Sequence, residues 1–343
     1  MSEANPNFWP TVFTRLASRD DLSTEEASEA MRCIMAGEAS PGQIGGFLMA
    51  LRTKGETVDE LEGLASTMLA FANPVEHRLP LVIDTCGTGG DRSGTFNIST
   101  VSAVVVAACG VPVAKHGNRA ASSHCGSADL LEALGVAIDL NAEGVARCLR
   151  EAGIAFMFAP AFHPSMAHAM PVRRDLRVAT AFNFLGPLTN PARPGAQIVG
   201  VSDARMLPLM AEVLARRGVR AKLFRGEDGL DELTTTGLST VFDVRDGEVR
   251  ERHLDPADEG LQRATADDLA GGDPTVSAQI ATAILAGQKG PRRDVVLLNA
   301  GAALEVAGHA PSLTDGIAAA AAAIDDGSAA ATLERWASVS QSG

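Results

Sequence analysis

The stretch from Asp84 to Arg119, DTCGTGGDRSGTFNISTVSAVVVAACGVPVAKHGNR, leaves this chain few folds to choose from. A short apolar run, Leu81 to Ile83, ends in a turn with glycines at 87, 89 and 90. Asn97-Ile98-Ser99-Thr100 then opens an apolar helix, a second strand follows at Val111 to Ala114, and a loop from Lys115 to Arg119 leaves its end. The pattern is a βαβ unit with anion-binding devices at both strand exits. Glycines let backbone N–H groups approach an anion closely, and a helix N-terminus points unsatisfied N–H groups and the positive end of its dipole at it. The common nucleotide loops are absent here. No GxxxxGK followed by Ser or Thr occurs, and Arg92 stands where a dinucleotide fingerprint needs its third glycine.

Across 343 residues the chain can build a large α/β domain and a smaller one. An apolar fraction of 46% supplies the core. A net charge of −13, no long Lys/Arg cluster and no tyrosine argue against nucleic-acid and anionic-membrane binding. An anionic substrate then requires a locally positive pocket or a bridging metal. Cys33, Cys86, Cys109, Cys125 and Cys148 form no CxxC pair, as expected of free thiols in a reducing cytoplasm. No basic, apolar leader opens the sequence, and no apolar run reaches membrane-spanning length.

Along the chain the hydrophobic period changes once. Ser23-x-x-Glu26, Ser40-x-x-Gln43 and Thr57-x-x-Glu60 are three capping boxes, and apolar residues follow them at helical spacing. This predicts a small all-helical domain. From about residue 81, strands expected at 81–84, 111–114, 136–138, 154–158, 197–201 and 220–224 alternate with helices near 98–109, 127–134, 142–152 and 203–216. Such alternation predicts a mostly parallel central sheet covered on both faces. Residues 241–245 and 248–252 read as a hairpin about Asp246-Gly247. Helices near 275–286, 292–306 and 313–324 close the chain. Prolines between 160 and 190 interrupt the alternation, so the chain is expected to rejoin the helical domain there. The expected domains are 1–74 with 163–186, and 80–162 with 190–343, joined by hinge linkers near 74–80 and 186–192.

The ordered motifs GTGGD (87–91), NIST (97–100), KHGNRAASS (115–123), GSAD (126–129), PVR (171–173), FNFLGPLTNP (182–191) and GLDEL (229–233) resemble the anthranilate phosphoribosyltransferases. The resemblance runs from the N-terminal helices to at least residue 245. It implies a fold like that of the type II nucleoside phosphorylases and a homodimer joined through the helical domains. The implied reaction moves 5-phosphoribose from phosphoribosyl pyrophosphate to the amine of anthranilate, releasing pyrophosphate, in tryptophan biosynthesis. Carried over residue by residue, it assigns substrate binding to Gly87, Gly90, Asp91, Thr95, Asn97, Ile98, Ser99 and Thr100. It does the same for Lys115, His116, Gly117, Asn118, Arg119, Ala120, Ala121, Ser122, Ser123, Ser127 and Arg173. Asp231, Glu232 and Ser99 are the implied ligands of Mg2+, two ions per subunit.

The chemistry accounts for these residue types. Lys115 would neutralise phosphate charge, and the Arg173 fork suits the acceptor's carboxylate. An arylamine is neutral and already nucleophilic at pH 7, so no acid–base residue is expected. Asn118, Arg173 and Lys115 would align the substrates, and catalysis would come from that alignment and from charge stabilisation. Taken without the resemblance, Asp231-Glu232 reads as a solvated loop, Arg173 as a helix-surface charge and His116 as a structural histidine.

Three positions depart from the family's pattern. Ala167 stands where a lysine is usual, Arg177 where a glycine is usual and Ala179 where an arginine is usual. Two other functions compete. One is a pyrimidine-nucleoside phosphorylase of the same fold; the intact GTGGD and the acidic pair favour a pyrophosphate donor with metal instead. The other is a non-catalytic nucleic-acid-binding homologue, which should have lost donor motifs and gained basic surface.

Overall fold

Each of the three capping boxes forms in the computed structural model, which describes residues 7–120 and 124–342. Ser23 caps helix Thr24–Met35, Ser40 caps Pro41–Lys54 and Thr57 caps Val58–Ala70. In every case the cap hydroxyl accepts from the third helical N–H, and that residue's side chain accepts from the cap N–H. Glu60 does more than close its box. It is fully buried, accepts from Leu22 N–H at 2.9 Å and pairs with Lys54 Nζ at 3.0 Å, tying three chain segments together. With helix Phe8–Ala17 and the later segment these helices make one compact unit, Met1–Asn73 with Phe162–Thr189. Leu16, Ile34, Phe47, Leu51 and Leu61 are in its core.

The second unit, Pro74–Ala161 with Asn190–Gly343, is built on one seven-stranded sheet. Its strands are β1 (Ile83–Gly87), β2 (Val113–Gly117), β3 (Ile154–Phe158), β4 (Ala196–Gly200), β5 (Arg220–Gly226), β6 (Ser239–Arg245) and β7 (Glu248–Leu254). They lie in the order β3-β2-β1-β4-β5-β6-β7, the first five parallel and the last two antiparallel. Nearly every residue of β1 to β4 is buried, and successive residues face opposite ways, so both faces of the parallel part are covered. Asp246 and Gly247, at φ 53° and 78°, make the turn between β6 and β7. Helix Ile98–Ala108, apolar all round, is buried along almost its whole length.

The structure corrects three sequence expectations. Residues 136–138 form no strand, although Val136 and Ile138 are buried. β1 and β2 begin two residues later than the apolar runs and continue through polar residues, so Lys115 and His116 lie inside β2 and not in the loop after it. A further helix, Ser328–Gln341, ends the chain and buries Trp336. Among the described residues no helix is long and apolar enough to cross a membrane. All five cysteines are free thiols.

The strand order positions the site. From β1 the chain moves outward to β2 and β3, then returns to place β4 on the other side of β1. Connections therefore leave β1 and β4 in opposite directions, and a crevice opens between their carboxyl ends. Gly87 and Gly200, the last residues of β1 and β4, are paired there.

Candidate active site

Gly87 and Gly200 leave a bare floor on which the acidic loop rests. A Cβ at Gly200 would stand 1.5 Å from the Asp231 carbonyl oxygen, and one at Gly87 would stand 2.5 Å from Asp231 Oδ2. A side chain at Gly200 would displace the Asp231 backbone, and one at Gly87 would push its carboxylate aside. The loop is shaped by a turn at its start, where Gly226 N–H donates to the Leu230 carbonyl at 2.9 Å. It is gripped at its end by Asn299, which is fully buried in helix Pro291–Val306. The Asn299 amide accepts from Leu233 N–H at 3.0 Å and donates to the Leu233 carbonyl at 2.9 Å.

So placed, the two carboxylates reach the glycine loop and the helix start. Asp231 Oδ2 accepts from Gly89 N–H at 2.7 Å. Glu232 Oε1 accepts from Ser99 N–H, in the first turn of helix Ile98–Ala108, at 2.9 Å. Glu232 Oε2 is buried without a hydrogen-bond partner. Burial pushes the Asp231 carboxyl up, and the neighbouring Asp91 charge adds to the effect. Glu232 is likewise pushed up by burial and then by Asp231, against the opposing pull of Lys115. Lys115, itself buried, directs its ammonium to the Thr85 carbonyl and to Ser99 Oγ at 3.3 Å. Beneath it Asp84 accepts from Asn190 Nδ2 at 2.8 Å and from His116 N–H at 3.2 Å, holding β2 in place.

Other residues singled out in the sequence ring this centre. Gly90 turns the loop at φ 84°, and Asp91 Oδ1 accepts from Ser93 N–H at 3.4 Å. Thr95 bridges to Ala270, and Ile98 and Thr100 are buried. Asn97 stands at the N-cap position but does not cap; its Nδ2 donates to the Cys125 carbonyl at 3.0 Å. After Gly117, the Asn118 carbonyl accepts from Ser127 Oγ at 3.1 Å. Arg119 pairs with Asp129 at 3.0 Å and with Glu132, and Ala120 N–H donates to Asp129 at 2.9 Å. Asp129 is thus the clamp of this loop. Ala121, Ser122 and Ser123 lie outside the described residues.

Arg173 belongs to the helical unit, on helix Met170–Leu176. Its guanidinium is 5.4 Å from the centre of the Phe182 ring, and burial lowers its pKa. Of the three departures, Ala167 lies in the 3-10 turn Pro164–His168, Arg177 ends helix Met170–Leu176 at φ 53°, and Ala179 is exposed. Ser202 and Asn299 carried no sequence signal, and Asp84 and Asn190, though within motifs, were given no role, because a single polar residue beside an apolar run announces no tertiary partner.

A helical bundle joined to a mostly parallel sheet, with an acidic pair set into a glycine loop at the sheet's switch point, defines a class. Residues 10–72 match the helical bundle domain, and residues 79–330 the a/b domain, of the glycosyl transferase family. The chain is 54% identical over 341 residues to anthranilate phosphoribosyltransferase from Arthrobacter sp. (strain FB24), covering 98% of this chain and 97% of that one. The crystal structure of the Thermus thermophilus enzyme superposes with a TM-score of 0.92 at 44% identity, over 96% of this chain and 99% of that one. The Saccharomyces cerevisiae enzyme in complex with PRPP and Mg gives a TM-score of 0.91 at 27% identity, over 99% of both chains. This chain belongs to the anthranilate phosphoribosyltransferases.

Proposed function

We propose that this chain transfers 5-phosphoribose from phosphoribosyl pyrophosphate to the amine of anthranilate, giving N-(5-phosphoribosyl)anthranilate and pyrophosphate in tryptophan biosynthesis. The observation that carries this reading is the meeting of three elements at one strand exit. The glycine loop, a helix start and a buried acidic pair suit a donor that bears a 5′-phosphate and a pyrophosphate. A pyrimidine-nucleoside phosphorylase is set aside because full-length kinship runs to enzymes named for the anthranilate reaction. The deciding assay follows loss of anthranilate fluorescence on adding phosphoribosyl pyrophosphate and Mg2+. Phosphate-dependent thymidine cleavage without metal, and no anthranilate consumption, would overturn the proposal.

Asp231, Glu232 and Ser99 fit Mg2+. The orphaned Glu232 Oε2 and two carboxyls pushed up by burial and by a neighbouring carboxylate, Asp91 for Asp231 and Asp231 for Glu232, are groups that a dication would satisfy. Among the described residues no group of three or more His, Cys, Asp or Glu side chains could hold a metal ion. Mg2+ usually takes one or two carboxylates and completes its shell with water and substrate phosphates, which suits this sparse set. Asp231, Glu232 and Ser99 would hold Mg2+, two ions per subunit, which when bound would supply positive charge against the donor's pyrophosphate.

The protein's own groups would do the rest. Gly87, Gly90, Asp91, Thr95 and the Asn97–Thr100 helix start hold the donor, with further donors from Asn118 to Ser123 and Ser127. Lys115 fixes Ser99 and offsets the acidic pair. Arg173 takes the acceptor's carboxylate, and Asn118 and the Gly87 backbone keep its amine toward the ribose. A homodimer through the helical units is supported by the face of helix Phe8–Ala17. Phe8, Trp9 and Phe13 are half-buried there, with ring centres 5.4 and 5.6 Å apart along the row.

A further inference from the structure

Gly89 is the pivot of the glycine loop. At φ 67° its backbone is turned so that its two polar groups are held from different sides. Its N–H donates to Asp231, and its carbonyl accepts from Ser202 Oγ at 2.7 Å. Ser202 follows β4, across the crevice from the loop, and is anchored by Thr88 at the base of the loop, whose Oγ1 lies 3.2 Å from Ser202 Oγ and 3.3 Å from the Gly89 carbonyl, and by Arg225 of β5. The Ser202 N–H donates to Thr88 Oγ1 at 3.0 Å, and its carbonyl accepts from Arg225 Nε at 2.9 Å. Thr88 N–H in turn donates to the Gly200 carbonyl at 2.9 Å. The Ser202 hydroxyl is therefore a rigidly mounted donor aimed at one carbonyl of a segment made of glycines, which would otherwise turn freely.

In a trans peptide the carbonyl and the following N–H point in opposite directions. Holding the Gly89 carbonyl toward β4 directs the Gly90 N–H away from it. We infer that Ser202 is a positioning residue of the donor site: it sets the Gly89–Gly90 peptide so that the Gly90 N–H is presented to a phosphate oxygen. This rests on the reading of the glycine loop as the phosphoribosyl-donor site. Pre-orienting that N–H removes an ordering cost from donor binding and leaves acceptor binding untouched.

Ser202→Ala, Ser202→Thr and Gly90→Ala test this in the full-length enzyme. Calorimetric titration with phosphoribosyl pyrophosphate and with pyrophosphate, each with Mg2+, gives a readout apart from turnover. Ser202→Ala should weaken both about five- to tenfold, the effect of losing one hydrogen bond. The KM for the donor should follow, while the KM for anthranilate and the melting temperature hold, and Ser202→Thr should restore donor affinity. Unchanged donor affinity in Ser202→Ala beside a clear loss in Gly90→Ala would overturn the role of Ser202 and leave the loop as the donor site. Unchanged affinity in both would overturn the reading of the loop itself. A drop in melting temperature with both KM values raised alike would show Ser202 to be only a structural brace.

Discussion

Arg177 holds φ at 53° as the last cap of helix Met170–Leu176, its N–H returning to the Arg173 carbonyl at 3.3 Å. A left-handed residue with a Cβ is strained, and glycine is the usual occupant of such a cap. Arg177→Gly should therefore raise stability by about 0.5–1 kcal/mol, measured as a shift of the urea midpoint at constant slope. An unchanged or lower midpoint would mean that contacts of the arginine side chain offset the strain. His163, in the same unit, is only 4% exposed, and burial pushes its pKa down to about 4. Its folded value lies below the unfolded value of about 6.5, so folding favours the neutral ring. Its contribution is complete above about pH 6.5 and is lost as pH falls toward 4, with a ceiling on the order of 3 kcal/mol. The urea midpoint of the wild type should drop over that window more steeply than that of His163→Gln. Parallel curves would show that the ring titrates normally.

At the scale of elements, local signals were legible and tertiary ones were not. The capping boxes form because all their partners lie within four residues. The hairpin at Asp246-Gly247 forms for the same reason. Residues 136–138 have a strand's composition but no strand beside them, so their burial comes from packing alone. The late starts of β1 and β2 have a physical cause. Thr85, Lys115 and His116 are polar residues carried on buried strands toward the crevice, and apolar runs cannot reveal them. For the site, the motifs pointed to the glycine loop, Ser99 and Asp231-Glu232, which the fold brings together. What holds them in register came only with the structure. Asn299 is the strongest case, since its amide binds both backbone groups of Leu233 and the Val295 carbonyl at 2.9 Å. Asn299→Ala should cost about 2–4 kcal/mol, because two buried backbone groups of the acidic loop lose their partner. It should also raise the Mg2+ concentration for half-maximal activity severalfold. A stability loss with an unchanged Mg2+ requirement would show that the loop keeps its shape without this grip.

The whole molecule carries a net charge of −13, yet its proposed donor is an anion. A charged protein usually captures an anion through a positive field that salt weakens. Two of the cations near the crevice are engaged within the protein, while Arg92 of the glycine loop is exposed. Lys115 is buried against Ser99 and Thr85, and Arg119 is paired with Asp129 and Glu132. Attraction must then act at contact distance, through backbone N–H groups, a helix start and metal, while the long-range field repels. These two ranges respond differently to salt. At physiological ionic strength the screening length is about 8 Å, so distant surface charges are masked while contacts inside the crevice keep most of their strength. Raising NaCl from low to physiological levels at fixed free Mg2+ should therefore increase kcat/KM for phosphoribosyl pyrophosphate, by about twofold. The KM for anthranilate, which bears one charge, should move less. Neutralising several carboxylates far from the crevice should raise the low-salt value and flatten the dependence. A steep fall of kcat/KM with salt would reveal a positive field at the mouth of the site and overturn the view that donor capture here is short-ranged.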